Sequence, residues 1–373
     1  MIIPTFTAGS RLMLIAPHPD DEALACSITL QHAVRAGAAI RVIYATDGDD
    51  NPWPQRLLER KWRLNATDRK RWGKLRRAEA LAALRVLGVK ASDARFLALP
   101  DQQLTGLLMS DCRATLKRFA AIIADWVPTH LLVPSIADTH PDHSALAVML
   151  RLLLTESFPL EPPLLIWSYV VHGKSRAFFD RALQVRQSEP DAETKLQAIR
   201  CHKTQLKLSR RRFLGYGARP ERLVKLRTRE AIAADGSISA ISRQLDSLRI
   251  KLRLSSKAMR PAAPALFILG RDRAGALRCL RIQVPIRSSR VEVFDSVTLE
   301  SIAIGRYRGN SFAGEITIPI DFFLPAHTIF VKLERRSWFF DEAGWLEVPA
   351  AAVLKQSVQS ADDVLEDPSL AIR

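Results

Sequence analysis

Cysteine is scarce and unpatterned in this chain. Cys26, Cys112, Cys201 and Cys279 are scattered over 373 positions, and no two form a CxxC pair. That excludes a disulfide framework and a zinc ribbon, and it suits small buried residues in a reducing cytoplasm. Long apolar runs are also missing. No stretch reaches the roughly 18–20 residues needed to cross a bilayer. The longest candidate, residues 145–154, carries Arg151 and reads as a buried helix. The opening MIIPTFTAGS lacks the basic and apolar regions of a secretory signal. There is no internal repeat. RNP-like aromatics, a zinc finger and a regular basic helix are absent, so little is offered for dedicated nucleic-acid binding. Acidic residues are outnumbered, 39 Asp and Glu against 55 Lys and Arg, for a formal charge of +16.

That charge permits nucleic acid, an anionic membrane surface or an anionic substrate as partner. A hydrophobic content of 47% indicates a soluble globular protein, and the length suffices for two domains.

Taken in order, RLMLIA at residues 11–16 reads as a strand, residues 22–37 as a helix stopped by Gly37, and AIRVIYA at 39–45 as a second strand. This is a βαβ crossover. Residues 49–74 form a long connection rich in Trp53, Trp62, Trp72 and basic side chains, expected to lie over a site as a basic, aromatic flap. Further helices are predicted at 75–87, 110–126, 144–154 and 193–206, and strands at 95–99, 130–134 and 164–171. Residues 209–229 read as a basic, flexible loop containing Gly215 and Gly217.

The expected fold is α/β: a Rossmann-like, doubly wound, mainly parallel sheet over residues 1–228. Residues 229–258 are assigned to a linker or bridging helix. Residues 259–352 carry short runs rich in Val, Ile and Phe between polar turns, which predicts a smaller all-β domain, sandwich or barrel. Residues 353–373 read as a polar tail.

Two short stretches stand out: PHPDDE at 17–22 and DTHPDH at 138–143, each after a predicted strand and before a predicted helix. In open α/β sheets such strand ends flank the functional crevice, and strands one and four can be neighbours where the strand order reverses. A catalytic zinc site takes three ligands from His, Asp or Glu and keeps one position open. His18, Asp21 and His143 make two imidazoles and one carboxylate. Asp20 and His140 are then left beside the metal, one as a base for water, the other to stabilise a tetrahedral oxyanion or protonate a leaving amine. Each motif alone reads equally as a proline turn with a capping Asp. Their pairing in a βα pattern points to chemistry. His32, His130, His172 and His327 lie outside any motif and are assigned to core or surface.

The stretches APHPDDEALAC, YATDGD, RRAEALAALRVLGV, FLALPDQQL, DTHPDHSALA and KLQAIRCHKTQ resemble the PIG-L/LmbE-like family of zinc-dependent N-acetylglucosaminyl deacetylases over about residues 11–206. The resemblance implies zinc ligands at His18, Asp21 and His143, a general base at Asp20 and an oxyanion-assisting imidazole at His140, as the residues themselves suggest. It further implies substrate-side roles for Arg76, Glu79, Asp138 and His202; Gln205 also fits the family pattern. Where the family commonly has glycines after the first motif, this chain has Ala25, Cys26 and Ser27. The β-rich region lies outside the shared part.

The expected activity is metal-dependent removal of an N-acetyl or N-acyl group from an amino sugar, an anionic N-acetylglucosaminide of glycolipid, glycan or secondary-metabolite metabolism. Zn2+ is the expected cofactor; Fe2+ or another divalent ion also accepts two His and a carboxylate. A same-fold amidase acting on a non-sugar amide, and a basic α/β protein binding nucleic acid or membrane, remain the alternatives. The expected location is cytoplasmic, with peripheral contact to an anionic membrane left open.

Overall fold

An apolar run with no polar alternation needs cover on both faces. The computed structural model describes residues 4–156, 164–173, 175–226, 236–254, 264–337 and 339–350. The first unit runs β1 (Arg11–Ala16), α1 (Asp21–Ala25), α2 (Ser27–Arg35), β2 (Ala39–Thr46), α3 (Pro52–Glu59), α4 (Ala66–Val86), β3 (Ala94–Leu99), α5 (Leu104–Ser110), α6 (Arg113–Trp126), β4 (His130–Pro134), α7 (Pro141–Glu156), β5 (Leu165–Tyr169), α8 (Arg176–Phe179), β6 (Leu183–Gln184), α9 (Glu189–Cys201), α10 (Lys203–Leu214) and β7 (Arg222–Lys225). Its sheet has the order β3-β2-β1-β4-β5-β7-β6. The five strands from β3 to β5 are parallel; β7 is antiparallel to β5, and β6 to β7. Leu12, Leu14 and Ala16 of β1 pack with α1, α2, α4 and α9, while Met13 and Ile15 pack on the opposite side with α5, α6 and α7. Cutting one such side chain to alanine costs about 2–5 kcal/mol. No helix among the described residues is long and apolar enough to cross a membrane.

Several predicted elements differ in extent. The helix expected over residues 22–37 breaks at Cys26 (φ −131, ψ 4). Glu221, distant in sequence, accepts the Ile28 and Thr29 N–H groups at 2.8 and 3.0 Å, giving α2 its own capped start. The helix expected at 75–87 begins earlier, at Ala66, because Asn65 and Asp68 form a capping box. Of the predicted flexible loop at 209–229, the described residues 209–226 are instead the end of α10, kinked at Ser209, then a turn and β7.

The second unit is antiparallel. It comprises β8 (Ile238–Arg243), β9 (Ser247–Arg253), β10 (Ala265–Arg271), β11 (Leu277–Gln283), β12 (Arg287–Asp295), β13 (Ser301–Asn310), β14 (Ala313–Pro319), β15 (Ile329–Glu334), the short hairpin β16 (Arg336–Ser337) and β17 (Phe340–Asp341), and β18 (Leu346–Val348). Nine strands form one sheet in the order β18-β15-β10-β11-β12-β13-β14-β9-β8. The two edges are tied by Arg243 of β8, which donates to the carbonyls of His327 and Pro349. A long antiparallel sheet with one apolar face curls to bury it. Ile238–Arg243 and Ser247–Arg253 are thus strands, not the linker or bridging helix expected at 229–258. In SLRIKLR, Leu248, Ile250 and Leu252 are buried while the intervening cations are exposed, the period-2 signature of a half-buried strand. The tail at 353–373 lies outside the described residues.

The two units share a core. Ala265, Phe267 and Leu269 on one face of β10 join the cluster of α5, α6 and α7, while Leu266 and Ile268 face the interior of the curled sheet. Arg151 of α7 is buried and paired with Glu347 at 2.9 Å. Main-chain bonds run from Asp341 N to Thr139 O and from Trp345 N to Ile136 O, both 2.8 Å. Gly344 permits this approach, since a Cβ there would sit 1.9 Å from the Ile136 carbonyl oxygen. A backbone oxygen cannot rotate away. Gly344→Ala is therefore expected to cost about 1–3 kcal/mol, read as a fall of several degrees in Tm; an unchanged melting curve would contradict this packing.

Candidate active site

The order of the first sheet reverses between β1 and β4, which are neighbours. Their C-terminal ends carry the loops bearing His18 to Asp21 and Asp138 to His143. The first loop is under backbone strain: Asp20 has φ 143, a region costly for a residue with a Cβ. It is held by the Glu22 carboxylate, which accepts the Asp20 N–H at 2.9 Å, and by Arg76, which donates to the Pro19 carbonyl at 2.6 Å and to Asp20 Oδ2 at 2.9 Å. Arg76 also donates to Gly48 O, and any side chain at Gly48 (φ 62) would collide with the guanidinium. The second loop ends with Pro141 at the first position of α7, where a missing N–H costs nothing.

Three side-chain atoms from these loops converge. His18 Nδ1 lies 3.1 Å from His143 Nε2, and Asp21 Oδ2 lies 3.5 and 3.4 Å from those two nitrogens. Tetrahedral zinc bonds of about 2.0–2.1 Å place ligand atoms about 3.3 Å apart, so this triangle has the edges such an ion requires. The far side of each ring is fixed. His143 Nδ1 donates to Asp138 Oδ2 at 3.2 Å, and His18 Nε2 faces Asp101 Oδ1 at 3.1 Å. Carboxylates behind the rings set the tautomer and turn the other nitrogen's lone pair inward. Overlapping groups, His18–His140–His143, Asp21–His143–His172 and His18–Asp101–Asp142, also bring donor atoms close enough to hold a metal. In the last, Asp142 already accepts the Gln102 and Leu104 N–H groups at 2.7 and 3.0 Å, and Asp101 accepts that of Asp50. Asp20, Asp21, Asp101, Asp138 and Asp142 are all buried, which favours a cation among them.

The electrostatics separate the two adjacent aspartates. Burial pushes the Asp20 carboxyl up to about 6, against the opposing Arg76 charge. Burial acts on Asp21 too, but the charges of His143 and His18 hold it well below the usual carboxylate range. His140 is driven far down by burial and by the neighbouring His143 and His18. Its Nδ1 accepts the Asp142 N–H at 3.2 Å, so a neutral ring carries its proton on Nε2 and remains a donor.

A pocket of about 630 Å³ opens over these groups. His18, Asp20, Asp21, His140 and Arg76 line it, as do Asn51, Trp53 and Pro54 at the start of α3. Part of the segment expected as a flap thus forms a wall, while Trp72 is buried and Trp62 is exposed. Of the residues assigned to substrate, Arg76 reaches the pocket and three do not. Glu79 accepts the Thr204 N–H and hydroxyl at 2.9 and 2.6 Å, tying α4 to α10. His202 Nε2 lies 2.9 Å from Glu22 Oε1, behind the first motif. Asp138 accepts from His143 and from the Val171 and His172 N–H groups. These are positioning contacts. Gln205 does line the pocket.

The sequence reading missed Glu22, Asp101, Asp142 and His172. His172, assigned to core or surface, lines the pocket with its ring 5.2 Å from that of His143 and Nδ1 3.2 Å from the Tyr216 hydroxyl. Burial takes its imidazole down to about 3. The available signal was positional: Asp101 and His172 follow β3 and β5, whose C-terminal ends share the edge that bears the motifs.

Comparison with known proteins gives a family match over residues 13–153, described as PIG-L: GlcNAc-PI de-N-acetylase. The chain is 31% identical over 147 residues to 1D-myo-inositol 2-acetamido-2-deoxy-alpha-D-glucopyranoside deacetylase of Mycobacterium avium (strain 104), covering 36% of this chain and 47% of that protein. It spans about half the length of the curated relatives it matches. Among solved structures, N,N'-diacetylchitobiose deacetylase from Pyrococcus horikoshii aligns at 20% identity, covering 59% of this chain and 84% of that one, with a TM-score of 0.46. The 4-carboxy-2-hydroxymuconate hydratase from Pseudomonas putida KT2440 aligns at 16% identity over 60% of this chain and all of its own, with a TM-score of 0.43.

Proposed function

From the match to the PIG-L family over residues 13–153, we propose that this chain is a metal-dependent hydrolase that removes the N-acetyl group from an amino sugar. The observation that carries the reading is the triangle of His18 Nδ1, Asp21 Oδ2 and His143 Nε2, with edges of 3.1 to 3.5 Å. These three are the proposed ligands, and zinc is the proposed ion, since two imidazoles and a carboxylate with an open fourth position suit it. Iron(II) is the competing ion. The first sheet is read as doubly wound and Rossmann-like.

His18, Asp21 and His143 would hold the divalent ion, whose positive charge would polarise the amide carbonyl and acidify a water. The protein's own groups do the rest. Asp20, its Oδ2 held by Arg76, accepts the proton of the attacking water. The water oxygen bonds to the carbonyl carbon while His140 Nε2–H donates to the carbonyl oxygen as negative charge builds there. The C–N bond then breaks, and the proton held by Asp20 passes to the departing nitrogen, leaving a free amine and acetic acid, which gives up its proton to become acetate. Arg76 stays on Asp20 throughout and fixes its orientation.

The proposed substrate is a small N-acetylglucosaminide. Its expected negative charge has Arg212 as a cation on the pocket wall. The test is acetate release from a panel of N-acetylated glucosaminides, neutral and phosphorylated, with metal content measured on protein purified without added metal. Acetate and free amine should appear, cease on chelation and return with zinc. Cleavage of non-sugar amides with no sugar turned over would move the reading to the amidase alternative. No turnover of any amide would overturn it.

A further inference from the structure

The pocket lining is chemically mixed. Beside the ionisable groups described above, and the polar Gln205, Ser209, Arg212 and Tyr216, it carries five large apolar side chains: Trp53 of α3, Leu208 and Phe213 of α10, and Phe339 and Phe340. The last two phenylalanines come from the β-rich unit, outside the residues that match the family.

Phe340 is built into place. Its neighbour Asp341 donates its N–H to Thr139 O at 2.8 Å, one residue before His140. The Asp341 carboxylate pairs with Lys332 of β15 at 2.5 Å, and both are buried. The Phe340 ring lies 5.8 Å from the ring of His140 and 5.0 Å from that of His172, and the Arg212 guanidinium stacks 4.9 Å from it. The hairpin therefore sets an aromatic surface beside His140 and His172, on the wall it shares with Arg212.

A sugar ring needs a hydrogen-bond partner for each buried hydroxyl. The five apolar side chains offer few, so they suit a different part of the ligand. Pockets of roughly 300–1,000 Å³ bury drug-sized ligands, and about 630 Å³ leaves room for a group beside the sugar. We propose that the β-rich unit completes a subsite, centred on Phe340, for an apolar substituent, aromatic or alkyl, attached to the N-acetylated amino sugar. This rests on the deacetylase reading above. It gives the second unit a part in substrate selection.

The test compares methyl and 4-nitrophenyl N-acetyl-D-glucosaminides, as both anomers, on the zinc-loaded full chain. The aryl glycoside is expected to have a kcat/KM at least about tenfold higher than the methyl one. Phe340→Ala should remove most of that preference, chiefly through KM, and Phe340→Leu should restore part of it. Phe339→Ala supplies the test if Phe340→Ala proves unfolded by melting. Turnover of both glycosides without a preference, or an equal loss on both in the variants, overturns the subsite and leaves the deacetylase reading standing. If neither releases acetate, that reading fails, and calorimetric binding decides the subsite. Tighter binding of the aryl glycoside by the unmutated protein, lost in Phe340→Ala, supports it; equal affinities overturn it.

Discussion

Replacing Asp20 with asparagine is expected to lower kcat by about two to four orders of magnitude while leaving zinc bound. The amide keeps the size of the carboxylate and can still accept from Arg76, which holds Asp20 Oδ2 at 2.9 Å. What it loses is the ability to take a proton. The unmutated carboxyl is suited to that task because burial lifts it to about 6, where it is a stronger base than an exposed aspartate. Asp21 is one residue away, yet His143 and His18 hold it low and make it a poor base but a good anionic ligand. Steady-state kinetics together with metal analysis of the same preparation separates the two roles. Loss of metal in Asp20→Asn would mean that ligand and base have been assigned to the wrong members of the pair.

The other large effect is expected at His143. His143→Ala should abolish activity and release the ion, because one corner of the 3.1–3.5 Å triangle disappears and two ligands do not make a closed zinc site. Asp138→Asn should fall between this variant and the unmutated protein, with metal affinity weaker by about 10–100-fold. Asp138 does not meet the ion in this arrangement. It accepts from His143 Nδ1 at 3.2 Å and from three backbone N–H groups, those of His140, Val171 and His172. Removing its charge frees the ring to turn and weakens the donor on the far nitrogen. Competition with a chelating dye gives all three affinities. Full metal retention by His143→Ala would instead favour the neighbouring group of His18, Asp101 and Asp142.

The first unit's core was readable from local pattern because its strands are covered on both faces. RLMLIA is apolar at successive positions, and β1 divides those positions between two helical layers. Helix limits were read less well where partners came from afar. The break at Cys26 depends on Glu221, and no local feature of SITLQHAVR announces a carboxylate from nearly two hundred residues downstream. The β-rich unit was recognised by its texture, but β8 and β9 were placed in a linker although SLRIKLR alternates cleanly.

His18, Asp20, Asp21, His140 and His143 could be proposed together from sequence because each motif compresses its residues into one turn after a strand, and a strand's end fixes where that turn points. A grouping of this kind is local, and residue type with spacing is enough to suggest it. The supporting residues are a different matter. Asp101 behind His18, Glu22 between Asp20 and His202, Glu79 locked to Thr204, His172 beside His143 and Phe340 above His140 all act across gaps of sequence that only chain folding closes. A hydrogen bond or ring contact reaches a few ångströms in space but has no fixed separation along the chain. The amino-acid order therefore determined which groups are the candidates for chemistry, and the tertiary structure decided which neighbours surround and orient them.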